Sequence, residues 1–303
     1  MSRKVLLAFL LIGLSALVPS SALAAYTYPG KNGTIAALLN QKTLGTFGPK
    51  RFKVLVQDHG RGNFFDSPSF SRDGKKIVVS EYFGAPWNDL AVVDASSGQV
   101  NRISTHKLSA SFPTFLSDGR ILFSGHGYSD DNRDGVYVVR RDGSGQHRLF
   151  AGFQFAATPD ARHFVGWDKS GFGRKLLLLN AKGKRVNVIA SVRNRENSLN
   201  GPAFSPNGRK IVYCRIFRSK GKATSDLFIV RRDGRKRRKL TSGIYAVDPS
   251  FSPDGRKIIF TVGNGITAGP SNVAVLNLRH PGKIKYLTHA KTGMFNFPIW
   301  ARQ

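Results

Sequence analysis

The chain has 303 residues, with 47 Lys and Arg against 18 Asp and Glu, and a formal net charge of +29. Its one cysteine, Cys214, excludes an internal disulfide framework, and its length suits one large β domain with a sizeable core. The charge favours polyanionic partners.

Residues 1–24 read as an export signal. Arg3 and Lys4 form a basic start, an apolar run follows from Val5 to Val18, and Ala22-Leu23-Ala24 supplies a small-x-small cleavage site. The run is too short to span a bilayer. Residues 25–303 are then one secreted or periplasmic domain without a transmembrane segment, expected as a monomer. In that compartment the polyanions are cell-wall and surface polymers, not nucleic acid.

After residue 24 one phrase recurs along the chain. It reads SPSFSRDGKKIVVS around Phe70, SFPTFLSDGRILFS around Phe115, NGPAFSPNGRKIVYC around Phe204 and VDPSFSPDGRKIIFT around Phe251. A worn copy, FQFAATPDARHFVGW, surrounds Ala157. The chain ends in FNFPIWARQ, which starts the phrase, and NGTIAALL from Asn32 to Leu39 completes it. A period of roughly 40 to 50 residues marks a repeat architecture, and a repeat split between the ends marks a closed ring. Within each repeat, apolar and β-branched runs alternate with Gly, Asp, Asn and Pro clusters, which predicts four short strands. The expected fold is all-β: a six-bladed β-propeller of four-stranded antiparallel blades, the last blade closed by N- and C-terminal strands.

The phrase PSFSPDGRKIIF, followed by LFIVRRDG and KLT, resembles the WD40-like repeats of the TolB family. The likeness covers nearly all of residues 25–303 and is weakest in the third copy, where Ala157 and Ala161 replace Phe and Gly. The resemblance implies a periplasmic propeller that binds protein partners in an envelope system. The family's N-terminal α/β domain has no counterpart between Ala24 and Gly33, which sets this chain apart from the Tol–Pal component itself.

Strand alternation puts the first and third turns of each repeat on one face of the disc, and most of the positive charge falls there. The densest run is RRDGRKRRK, with Arg231, Arg232, Arg235, Lys236, Arg237, Arg238 and Lys239. Lys182, Lys184 and Arg185 form a second cluster and Arg140, Arg141 and Arg148 a third, and Lys75, Lys76, Arg209, Lys210, Arg256, Lys257 and Lys283 lie on the same side. The first two clusters are the candidate polyanion site. The opposite loops, with Glu81, Trp87 and Asp89, read as an ordinary recognition surface.

The residues just before each innermost strand are expected at the channel mouth: Asp66, Ser111, Gln154, Asn200, Asp248 and Asn296. They either satisfy inner-strand backbone groups or grip a ligand. Asp130, Asn132 and Asp134 match the opening of a calcium loop, but Arg141 stands where such a loop needs a bidentate Glu. A plain polar loop is the preferred reading, and no cofactor is expected. The seven histidines show no zinc spacing, and no G-x-S-x-G elbow occurs. The expected function is a non-enzymatic scaffold for envelope proteins or anionic polymers. The alternative is a lyase or hydrolase acting on an acidic polysaccharide at the channel.

Overall fold

A computed structural model describes residues 27–48, 52–57, 64–84, 86–127, 133–151, 155–167, 173–193, 197–219, 222–263 and 269–303. The export segment lies outside these residues. All regular elements found are strands, and no helix among the described residues is long and apolar enough to cross a membrane.

The first sheet joins the two ends of the chain. It contains β1 (Asn32–Leu39), β2 (Thr43–Phe47) and β3 (Phe52–Gln57), and its innermost strand is β24 (Phe295–Arg302). Ile35 pairs with Trp300 and Ala36 with Ile299, and the Trp300 indole donates to the Gly33 carbonyl at 2.9 Å. Phe47, Phe52 and Phe295 pack ring to ring at 5.2–6.0 Å.

Three further four-stranded antiparallel sheets follow. They are β4 (Phe64–Phe70) to β7 (Val100–Ile103) through β5 (Lys76–Tyr82) and β6 (Asp89–Asp94); β8 (Leu108–Phe115) to β11 (His147–Ala151) through β9 (Ile121–Gly127) and β10 (Gly135–Val139); and β12 (Phe155–Ala157) to β15 (Arg185–Ser191) through β13 (His163–Trp167) and β14 (Lys175–Asn180). Middle strands such as KIVVSEY and DLAVVD are buried on both faces, because each sheet is sandwiched between neighbours. Each fully buried Val or Ile there contributes about 1.5–3 kcal/mol.

The remaining strands form one sheet of eight. It runs β16 (Ser198–Phe204), β17 (Lys210–Ser219), β18 (Lys222–Arg231), then β20 (Tyr245–Phe251), β21 (Lys257–Gly263), β22 (Asn272–Asn277) and β23 (His280–Tyr286), with β19 (Arg238–Lys239) also on β18. The expectation of six separate four-stranded blades is therefore corrected. Hydrogen bonding defines four such blades and one double-width sheet. The physical cause is the length of β17 and β18, ten residues each. The alternating run KATSDLFIVR carries the hairpin out to where Ser225 bridges Tyr245 of β20 in parallel, and the Ser225 hydroxyl donates to the Ala246 carbonyl.

The innermost strands β4, β8, β12, β16, β20 and β24 contact one another in that order, and β24 returns to β4. The fold is thus a propeller around a central channel. Five of these strands share a bulge at an X-Pro step. In β4, Ser67 and Pro68 together oppose Val79, because pairing skips from Asp66↔Ser80 to Ser69↔Val78. The same skip occurs in β8, β16, β20 and β24. Proline cannot donate to the ladder, so the strand gains a residue there. The residue before it is left-handed: Ser67, Phe112, Gly201, Asp248 and Phe297 have φ of 50–57°. In β12, Phe155 stands where the others have proline.

The first turn of the repeats is a Ser-x-Asp-Gly device. The Ser71 hydroxyl donates to Asp73 at 2.6 Å and accepts from the Lys76 amide, and Ser252 with Asp254 repeats this. The worn third copy keeps it through Thr158 and Asp160, and Ala161 holds φ 53°, the conformation Gly74 and Gly255 adopt elsewhere.

Candidate functional site

Two regions concentrate unusual chemistry. The first is a groove on the turn face of the double-width sheet, a cavity of about 1000 Å³. The β16–β17 turn brings Arg209 and Lys210 to it; the end of β18 and the turn after it bring Arg231, Arg232 and Lys236; β19 brings Arg238. The β20–β21 and β22–β23 turns bring Arg256 and Arg279 from the other half. Among the described residues, eight cationic side chains thus line the groove against one carboxylate, Asp233. Ile229, Val230 and Leu278 give it an apolar floor.

Two of these cations are engaged. Arg231 lies 3.4 Å from Asp233, and Arg238 reaches across the groove to donate to the Leu278 carbonyl at 3.0 Å. Lys239, counted with this cluster in the sequence, is instead held by Asp226 at 2.7 Å. Arg237 sits by the Tyr213 hydroxyl, and burial raises that phenol above its usual range. Lys182 and Lys184 stay on the neighbouring β14–β15 turn and Arg185 opens β15, all outside the groove. Sequence reasoning missed Arg279. Its turn comes beside Arg231 only through the packing of the β20–β23 half against the β16–β19 half, where Arg238 bonds the Leu278 carbonyl.

The second region is the channel. Asp66, Ser111, Asn200, Asp248 and Asn296 all lie inside innermost strands, not before them as expected, because the strands continue through the proline bulges. Four of them directly precede the left-handed residue, whereas Asp248 is that residue. Gln154 lies outside the described residues. Burial pushes the Asp66 carboxyl up to about 6. Asp248 is pushed well above the carboxylate range, first by burial and then by the charge of Asp66, while the Phe297 amide opposes the rise. Opposite Asp66 and Ser111 stand Ser80 and Ser124, whose buried hydroxyls have no hydrogen-bond partner among the described residues.

The turn-side mouth of the channel is crossed by a segment that sequence reasoning did not place. The Thr27 hydroxyl is 3.1 Å from that of Ser250 on β20, and the Tyr28 hydroxyl donates to the Phe115 carbonyl on β8 at 2.8 Å. These strands stand opposite each other in the ring, so the segment spans it. A cavity of about 530 Å³ beside Tyr28 is lined by Arg72, Arg162, Arg302 and Arg232, the last shared with the groove. Burial, then the Arg232 charge, holds His163 at its edge below the usual histidine range.

Other sequence candidates resolve into structural roles. Glu81 is buried and takes a two-pronged salt bridge from Arg102, 2.8 Å on each arm. Asp89 accepts from the Thr105 amide and hydroxyl. Neither is a recognition group. Asp134 is bound to His126 at 2.6 Å and accepts from the Gly127 amide, while Asp130 and Asn132 lie outside the described residues. No group of three or more His, Cys, Asp or Glu suited to a metal ion occurs among the described residues. Cys214 is buried, and burial raises its thiol far above the reactive range.

No family model and no curated protein sequence matches this chain. Solved structures do resemble it. TolB from Acinetobacter baumannii superposes with a TM-score of 0.69 at 19% identity, over 89% of this chain and 67% of that one. Hydrazine synthase from Kuenenia stuttgartiensis gives 0.67 at 13%, over 90% of this chain and 47% of that one. An oligogalacturonate lyase in complex with manganese gives 0.51 at 13%, over 86% and 74%. At these identities the likeness establishes the fold alone. The fold is a propeller of the kind found in TolB.

Proposed function

We propose that this chain is an exported, non-enzymatic propeller of the TolB type that acts as a binding scaffold at the cell envelope and captures polyanions on its turn face. The observation that carries this is the groove, where eight cations meet one carboxylate. Five of its six arginines are exposed, so solvent tolerates their mutual repulsion until an anion replaces it. Retention of the purified protein on an immobilised anionic polymer tests the reading. Retention should weaken steeply between low and high salt, as charge-driven binding does. A protein that passes unretained at low salt refutes it.

A second reading rests on the Asp66–Asp248 pair. One carboxyl that keeps its proton to about pH 6 beside another is the arrangement acid–base chemistry uses, and it would act on an acidic polysaccharide entering the channel. Oligogalacturonate incubated with the protein and manganese should then yield shorter or unsaturated products, and yield none with Asp66→Asn. Unchanged substrate would reject this reading and leave the first intact.

A further inference from the structure

We infer that the groove of the double-width sheet is a specific site for clustered phosphate groups carried on a sugar-sized scaffold, an inference that rests on the polyanion reading and narrows it.

The argument begins with rigidity. Elsewhere in the ring, neighbouring blades are tied by single backbone hydrogen bonds, such as Phe65 to Gln41 and Leu199 to Gly173, without merging into one sheet. Here the Ser225–Tyr245 bridge fuses the two halves into one sheet. Arg238 then braces them at the turn face by its hydrogen bond to Leu278. The groove walls are therefore fixed relative to each other, and a site of fixed width selects ligands that a flexible basic surface does not.

Charge density comes next. Arg209, Arg256, Arg279, Lys210 and Lys236 have no side-chain hydrogen bond or ion pair among the described residues, so their charges stay available. Six of the eight cations are arginines, whose forked donors match phosphate and carboxylate oxygens in pairs. Charge per ring separates those two anions. A groove of about 1000 Å³ holds a compact ligand or only a few rings of a chain. A uronic chain brings one charge per ring, so a piece that fits leaves most of the cations uncompensated. A phosphate ester brings about −1.5 to −2, so a few phosphates on one or two rings balance the groove. The floor of Ile229, Val230 and Leu278 suits the apolar face of such a ring.

The test is calorimetric titration of the full exported chain at near-physiological salt with three soluble probes: inositol hexakisphosphate, hexagalacturonate and inorganic phosphate. Two double variants, R209E/R256E in the groove and K182E/K184E outside it, change charge equally at exposed turn positions. Inositol hexakisphosphate should bind at least about 30-fold tighter than hexagalacturonate. The groove variant should lose about 100-fold or more in affinity and the outside variant less than about 5-fold, since each charge-assisted contact is worth about 1.5–3 kcal/mol. Equal losses from both variants, or hexagalacturonate binding as tightly, would overturn the groove assignment while sparing the general polyanion reading. Absence of binding to every anion would remove both. Phosphatidylglycerol vesicles form a separate arm. Groove-dependent vesicle binding without hexakisphosphate binding assigns the groove to a membrane surface and overturns the inference.

Discussion

The groove and the channel hold like charges in opposite circumstances. In the groove, eight cationic side chains crowd together, all but Arg232 exposed to water, which screens their repulsion. In the channel, Asp66 and Asp248 face little solvent, and burial favours the protonated acid. Solvation decides which crowd of charges is kept as charge and which is relieved by a proton. The same contrast separates a surface suited to binding from a wall suited to holding a fixed polar arrangement.

The channel depends on ring closure more than the groove does. Deleting Phe295–Gln303 removes β24, the partner of β1, together with Trp300 and the Phe297 amide beside Asp248. The loss should be several kcal/mol, read as a lowered thermal midpoint. An unchanged midpoint would mean that the terminal pairing adds nothing to the fold.

Asp66→Asn sharpens the contrast next. The folded carboxyl keeps its proton to about pH 6, whereas the ordinary value is 3.8. Between these values the native state binds more protons than the unfolded one, so stability falls as pH rises through the window. Asparagine removes that loss. The variant should be more stable than the parent at pH 7 by about 1–3 kcal/mol and equal to it near pH 3.5, measured by denaturant unfolding at both. Destabilisation at pH 7 would show that the channel uses the carboxylate in its charged form.

Tyr28→Phe probes the mouth. It removes one hydrogen bond, leaves the Phe115 carbonyl short of a donor and keeps the packing. The expected cost is about 1 kcal/mol in denaturant unfolding. No cost would show that the segment merely rests on the ring. The smallest effect is expected at Ala161, which pays a steric penalty at φ 53°. Ala161→Gly should raise stability by about 0.5–1 kcal/mol, and a decrease would mean that the methyl group's packing outweighs its strain.

Much of the site was legible in outline. The basic run Arg231–Lys239 and the turn residues Arg209 and Arg256 are visible as charge at fixed repeat positions, and the alternation of turns assigns them to one face. Their division was not. Lys239 and Arg237 look identical to Lys236 and Arg232 in the sequence, yet Asp226 and Tyr213 occupy the first two, and Arg235 lies outside the groove lining. Those partners stand at distant positions that only cross-strand register brings near. Glu81 read as a loop acid for the same reason, because Arg102 reaches it only after β5, β6 and β7 have paired.

The sequence by itself determined the strand-and-turn grammar, the all-β class and the side on which the cations gather, because each follows from local periodicity and turn chemistry repeated along the chain. Tertiary structure alone decided that two repeats share one sheet, that Thr27 and Tyr28 span the ring and that Asp66 and Asp248 share a buried wall. These depend on hydrogen bonds and burial between residues far apart in the chain, which no local pattern of side chains records.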